Sequence, residues 1–170
     1  MRKRKILIRH AQSVANLMDE PGSMTEGQLA FVNRAAGLTE LGEQQCYSLA
    51  PRLPSEYGIN PSTTLAAVST YERPRLTAEL LGFLINPTPY PQLDEVDHGM
   101  STRKIRELVR ANQIPQIAIE AGRMALEQAP EEHVWVTHGL LIAGICIELG
   151  IVDQFERPVP RQCEVRQIEF

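Results

Sequence analysis

Several things this sequence lacks narrow what it can be. It has three cysteines, Cys46, Cys146 and Cys163, an odd number, widely spaced and without a CxxC pair. Neither a disulfide framework nor a zinc site is indicated, and the expectation is three reduced thiols in a cytoplasmic protein. The four histidines form no HExxH pair or close His/Cys cluster, so the spacing points to no metal. No GxxxxGK[ST] loop is present, which removes P-loop nucleotide hydrolysis. No apolar run approaches the roughly 20 residues needed to cross a bilayer, so no membrane partner is expected. The basic start, Met1-Arg2-Lys3-Arg4-Lys5, is followed only by Ile6, Leu7 and Ile8 before Arg9, too short for a signal-peptide core. Those charges read as a solvated lead into a first strand. There is no basic excess either: the net charge is -4 with a pI near 5.6, which argues against a nucleic-acid partner.

What remains is an ordinary globular composition, 43% hydrophobic and 22% charged over 170 residues, the size of a single domain spanning residues 1–170. No internal repeat or low-complexity tract is visible. Short apolar runs at Ile6–Ile8, Leu65–Val68 and Val134–Val136, and the alternating Cys163–Phe170 segment, read as strands. Helical periodicity appears over Thr39–Leu53, Arg73–Leu84, Arg103–Gln113, Ile117–Ala129 and Leu140–Leu149. Thr39 suits an N-cap, and Pro54, Pro87 and Pro130 stand where helices stop. Strands alternating with helices predict an α/β domain with a mainly parallel sheet covered on both faces. In such sheets the chemistry collects outside the carboxyl ends of the strands.

Two histidines stand at that address. In Ile8-Arg9-His10-Ala11-Gln12-Ser13 an apolar strand ends in an Arg-His pair, and polar residues then open a helix whose free N–H groups suit an anion. Arg9 offers a donor fork shaped for phosphate, and the Asn16 amide is within reach of the same group. Val136-Thr137-His138-Gly139 repeats the arrangement. Ser69-Thr70-Tyr71-Glu72-Arg73 follows a third strand and opens a helix near Arg73, with Pro74 at its start. The loop Leu93-Asp94-Glu95-Val96-Asp97-His98-Gly99 carries three acids and a histidine.

The order and spacing of these motifs resemble the histidine phosphatase superfamily, which includes cofactor-dependent phosphoglycerate mutases and many phosphatases. The resemblance runs through Arg9-His10, Leu38-Thr39-x-x-Gly42, Ser69…Arg73…Thr77-Ala78, Leu93-x-Glu95…Gly99 and Thr137-His138-Gly139. It implies a three-layer α/β/α sandwich with a mainly parallel central sheet, and no metal or other cofactor. Position by position, it makes His10 the nucleophile of a phosphohistidine intermediate and Arg9 and Arg73 the clamp on the phosphoryl group, with Asn16 as a further contact. His138 would donate to a phosphoryl oxygen, and Glu95 would be the general acid, a role requiring a raised pKa.

Ala11 stands where the family more often has glycine, which fits if its φ is negative. Arg75 is a second candidate for the clamp, and Asp94 and Asp97 are alternatives to Glu95. His98 and His133 read as surface residues, and Arg103, Lys104, Arg106 and Arg110 as a solvated helix face. The 38 residues between Gly99 and His138 leave no room for the long covering insertion of the mutases. An open site admits water, which favours a phosphoric monoester hydrolase acting on a small phosphorylated molecule or a phosphoprotein. A mutase and a catalytically idle phosphate-binding relative are the alternatives. Substrate identity and oligomeric state are not encoded in these motifs.

Overall fold

Apolar side chains that alternate along a strand must find cover on both sides, and here they do. In the computed structural model, which describes residues 3–17, 26–97, 99–100 and 102–170, five strands form one sheet. The chain runs β1 (Arg4–Arg9), α1 (Val14–Leu17), α2 (Glu26–Ala35), α3 (Glu40–Leu49), α4 (Arg52–Tyr57), β2 (Leu65–Val68) and α5 (Glu72–Leu80). It continues through β3 (Leu84–Ile85), α6 (Thr102–Arg110), α7 (Gln116–Glu127), β4 (Val134–Thr137), α8 (Gly139–Glu148) and β5 (Val165–Glu169). Strand order is β3-β2-β4-β1-β5, parallel except for β5, which runs antiparallel along β1.

Neighbouring residues on each central strand serve opposite cores. Ile6, Ile8, Ala66, Val68, Val134 and Val136 pack with Cys46, Leu49, Leu53 and Ala78 of α3, α4 and α5 and with Leu81, which caps α5. Leu7, Ala67 and Trp135 face the other way, onto Ala118, Ala125, Leu141, Ile142 and Ile145 of α7 and α8. This is the expected three-layer α/β/α sandwich. The centres of β1 and β4, Ile6–Ile8 and Val134–Val136, are unbroken apolar runs because both faces are covered.

The α8 sequence is apolar nearly all round, and small residues allow α7 to lie directly on its backbone. A Cβ on Gly144 would stand 1.8 Å from the Ala118 carbonyl oxygen, and one on Gly122 would stand 2.5 Å from Gly144 C. Among the described residues no helix is long and apolar enough to cross a membrane.

Several local expectations change. The helix expected over Thr39–Leu53 is two helices, broken at Pro51, whose ring cannot continue the preceding hydrogen-bond ladder. Pro54 consequently lies inside α4, where it replaces an N–H of the first turn that has no helical partner. The Arg73–Leu84 helix ends at Leu80, and Gly82 at φ 85° turns the chain into β3. Helix α2 is an element that the sequence pattern does not announce. Lys5 is not solvated: it is 4% exposed, and its ammonium donates to the Pro130, Glu131 and Glu132 carbonyls at 2.7, 2.9 and 2.8 Å. Cys46 and Cys163, 117 residues apart, bring their sulfurs to 3.8 Å as free thiols.

The α7–α8 crossing leads to a direct test. Gly144→Ala should lower the urea midpoint with a stability loss on the order of 2–3 kcal/mol, the usual cost of overpacking. An unchanged midpoint would mean that the helices do not cross this closely.

Candidate active site

Register places the two histidines side by side. Arg9 pairs with Thr137 on adjacent parallel strands, so the next residues, His10 and His138, leave the sheet together. Their ring centroids are 5.1 Å apart, and both side chains are buried, 1% and 0% exposed. On the far side of β4, Val68 pairs with Val136, so Ser69 leaves β2 level with Thr137, one residue before His138.

The loop after His10 is held by hydrogen bonds from its own backbone. Its N–H groups are already used: Ala11 donates to Thr77 Oγ1, Gln12 to Gln45 Oε1, Ser13 to Asn16 Oδ1 and Val14 to the Gly37 carbonyl. The free helix N–H groups expected for an anion are therefore not available here, and α1 spans only four residues. Asn16 spends its side-chain oxygen on the Ser13 N–H and hydroxyl, so it shapes the loop from within. Ala11 is buried and is not among the positive-φ residues, as an alanine there requires. Thr39 caps α3 by accepting from Gly42 N at 3.1 Å, and a Cβ on Gly42 would stand 2.1 Å from the Gln12 carbonyl oxygen. That close approach presses α3 against the His10 loop.

The bonding around His10 fixes which of its nitrogens is free. Nδ1 lies 2.7 Å from the Ala11 carbonyl, which can only accept, so Nδ1 carries the proton. Nε2 then presents its lone pair, and Arg73 Nε donates toward it at 3.2 Å. Burial first, then His138, Arg73 and Arg9, push the His10 pKa well below 6.5. The imidazole is neutral near pH 7, as a nitrogen nucleophile must be.

Arg73 is the hub. It is 2% exposed at the start of α5 and spreads its fork over four partners. Nη1 donates to the Asn33 carbonyl at 2.7 Å, Nε faces His10, and Nη2 approaches Glu95 Oε2 at 3.5 Å and His138 Nδ1 at 3.4 Å. Tyr71 lies under its guanidinium at 4.7 Å and turns an edge toward His138. Arg9 divides its donors differently. Nη1 is tied to the Pro160 carbonyl at 2.6 Å, while the buried Nε has no partner and lies beside Gly139 at the start of α8.

The acid loop is pinned from both sides of Glu95. Leu93 and Val96 are buried in the core, and the Leu93 carbonyl accepts from Thr137 Oγ1 at 2.6 Å. Glu95 therefore points inward, with Oε2 3.2 Å from His138 Nδ1, while its buried Oε1 has no partner. Asp94 is turned away to bind Thr70 N at 2.7 Å and Arg34, and Asp97 is exposed on the Gly99 N–H. Of the three acids, the structure brings only Glu95 to the histidines. Its pKa departs from the expectation. Burial pushes the carboxyl up, but His138, Arg73 and His10 together pull it well below the usual carboxylate range. His138 is itself lowered, by burial first, against the opposing pull of Glu95.

The remaining candidates separate cleanly. Arg75 faces solvent between Glu72 and Glu79 and takes no part in the clamp. Arg106 is not simply a solvated charge, since Nη2 reaches across to the Asn16 carbonyl at 3.1 Å. His133 is exposed, and His98 lies outside the described residues. Asn33, Arg34 and Tyr71 are part of the site although no spacing rule singles them out. Tyr71 lies within a motif, but Asn33 and Arg34 arrive on α2, whose apolar residues Leu29, Ala30, Phe31 and Val32 run together without helical spacing.

His10, Glu95 and His138 offer three donor atoms within 4.8 Å of one another, a set that could ligate a cation. The Arg73 guanidinium lies within 3.5 Å of all three and opposes a dication in that space. Positive potential, a free imidazole nitrogen and an unpartnered arginine Nε suit an anion instead. Two buried neutral histidines also make stability fall as pH falls. Below the unfolded value of about 6.5 the unfolded chain binds protons that the folded site refuses, so acidification favours unfolding. The urea midpoint should drop between about pH 7.5 and 5.5, and drop less in His10→Gln. An equal drop in the variant would contradict the neutral assignment.

No protein-family model matches the sequence, and no curated protein matches it. Solved structures do. Phosphoglycerate mutase from Thermus thermophilus is similar at 22% identity and TM-score 0.60, over 97% of this chain and 92% of that one. Phosphoserine phosphatase from Entamoeba histolytica, solved in complex with 3-phosphoglyceric acid, is similar at 15% identity and TM-score 0.60, over 97% and 89%. A mycobacterial hydrolase is similar at 18% identity and TM-score 0.56, over 99% and 92%. The likeness is one of fold, and the chain has the phosphoglycerate mutase-like α/β/α architecture that a resemblance to the histidine phosphatase superfamily implies.

Proposed function

We propose that this protein is a metal-independent phosphatase that hydrolyses phosphomonoesters or phosphohistidine through a phosphohistidine on His10, as a member of the histidine phosphatase superfamily. One observation carries the reading: a buried, neutral His10 whose Nε2 lone pair faces Arg73 at 3.2 Å, beside His138 and Glu95. Two solved proteins of the same fold are named a phosphoglycerate mutase and a phosphoserine phosphatase, chemistries that both move a phosphoryl group.

The steps follow from the side chains. A phosphoryl dianion entering the site draws the Arg73 donors, the free Arg9 Nε and the His138 Nδ1–H onto its oxygens. Those donors then no longer hold Glu95 low, and the added negative charge pushes its carboxyl upward, so that it takes a proton. His10 Nε2 attacks phosphorus, the P–O ester bond breaks, and Glu95 gives its proton to the leaving oxygen. Water then attacks the phosphohistidine, its proton passes to Glu95, the P–N bond breaks and phosphate leaves. Glu95 thus becomes an acid only when substrate is bound, which reconciles its low resting pKa with the role.

The short segment before His138, whose helices among the described residues are α6 and α7, favours water over a second hydroxyl as acceptor. The free thiols suit a cytoplasmic setting.

Turnover of an aryl phosphate in EDTA, abolished in a folded His10→Ala variant, is the expected result; activity retained by that variant would remove the mechanism. Glu95→Gln should slow alkyl phosphates by about 100-fold or more while sparing activated aryl phosphates, since only poor leaving groups need the proton. Equal losses on both would remove Glu95 from the acid role.

A further inference from the structure

Ser69 stands beside the histidine pair without any role in the chemistry above, although it directly follows the core strand β2 and is 1% exposed. Its hydroxyl oxygen lies 3.0 Å from His138 Nε2 and accepts from the Tyr71 N–H at 3.0 Å. The opposite ring nitrogen, Nδ1, faces the Glu95 carboxylate at 3.2 Å. A carboxylate only accepts, so Nδ1 must carry a proton. A neutral imidazole has one such proton, which leaves Nε2 as an acceptor. The donor at hand is the Ser69 O–H, whose oxygen the Tyr71 N–H already orients. Arg73 Nη2 also approaches Nδ1, at 3.4 Å, but it has Glu95 Oε2 at 3.5 Å as an acceptor, so its position is compatible with this assignment.

We infer that Ser69 is a positioning residue that locks neutral His138 into the tautomer with its proton on Nδ1, the nitrogen that faces the reacting group. Free imidazole side chains hold the proton more readily on Nε2. With that tautomer, a lone pair at Nδ1 would confront both the Glu95 carboxylate and an incoming phosphoryl oxygen. Ser69 thereby lets a neutral histidine act as a donor toward an anion. The catalytic consequence rests on the phosphatase reading; the tautomer itself does not.

Nitrogen-15 NMR of the histidine rings separates the two. Wild-type protein should show His138 with a pyrrole-type Nδ1 and a pyridine-type Nε2, and the Nε2–H form should become populated in Ser69→Ala. That variant should lose about 10- to 100-fold in kcat on an aryl phosphate with KM within about twofold, the scale seen when the partner that orients a metal-bound histidine is removed. Ser69→Thr, which keeps the hydroxyl, should restore both the tautomer and the rate. A wild-type His138 protonated on Nε2, or a tautomer unchanged in Ser69→Ala, overturns the proposal. Absence of turnover in the wild type would refute the phosphatase reading, while the ring nitrogens would still decide the role of Ser69.

Discussion

Everything in the site depends on the register of three parallel strands. Because Arg9 pairs with Thr137 and Val68 with Val136, His10 and His138 leave β1 and β4 level with each other, and Ser69 leaves β2 level with Thr137, one residue behind. Shifting one strand by a single residue would turn each of its side chains to the opposite face and bury the wrong set. Strong alternation between two separate cores holds that register, with Ile6 and Ile8 on one side and Leu7 on the other, and Val134 and Val136 opposed to Trp135. The histidines need no loop flexibility to find each other; the packing of the sheet delivers them.

The second determinant is charge without water. Arg73, almost fully buried, meets two imidazoles and one carboxylate, and each alters the protonation of the others. Desolvation keeps both histidines neutral, while Glu95 is the one anion that the cluster retains. The arrangement holds surplus donors, including Arg9 Nε, and a carboxyl oxygen with no partner. An incoming phosphoryl dianion would supply the missing acceptor and release Glu95 to change its proton state. In the proposed mechanism, resting electrostatics and turnover are two occupancies of the same donors.

Much of this is legible in the sequence, for reasons of periodicity. The buried strands declare themselves as short apolar runs, and strand ends followed by a histidine mark the working edge of the sheet. Thr39 as a cap and Arg73 at a helix start are readable because backbone geometry dictates each, whereas Glu95 is singled out among the three acids of its loop only by the family resemblance. Other features depend on contacts between distant segments. The Cys46–Cys163 approach, the burial of Lys5 under three carbonyls and the anchoring of Arg9 on Pro160 leave no local pattern. Helix α2 escapes because its apolar residues are contiguous, and with it go Asn33 and Arg34. The direction of the Glu95 shift is the reverse of the expected one because it turns on which neighbours touch the carboxylate. Asp94, its neighbour in the chain, is bound instead to Thr70 and Arg34.

The most direct test of the mechanism is to trap the covalent state. Protein mixed briefly with an activated aryl phosphate and quenched in alkali should yield one peptide carrying a phosphoryl group on His10 Nε2. The label should survive base and be lost in acid, as a phosphoramidate is. Phosphate found on another residue, or turnover that proceeds with no labelled peptide under single-turnover conditions, would contradict nucleophilic catalysis by His10.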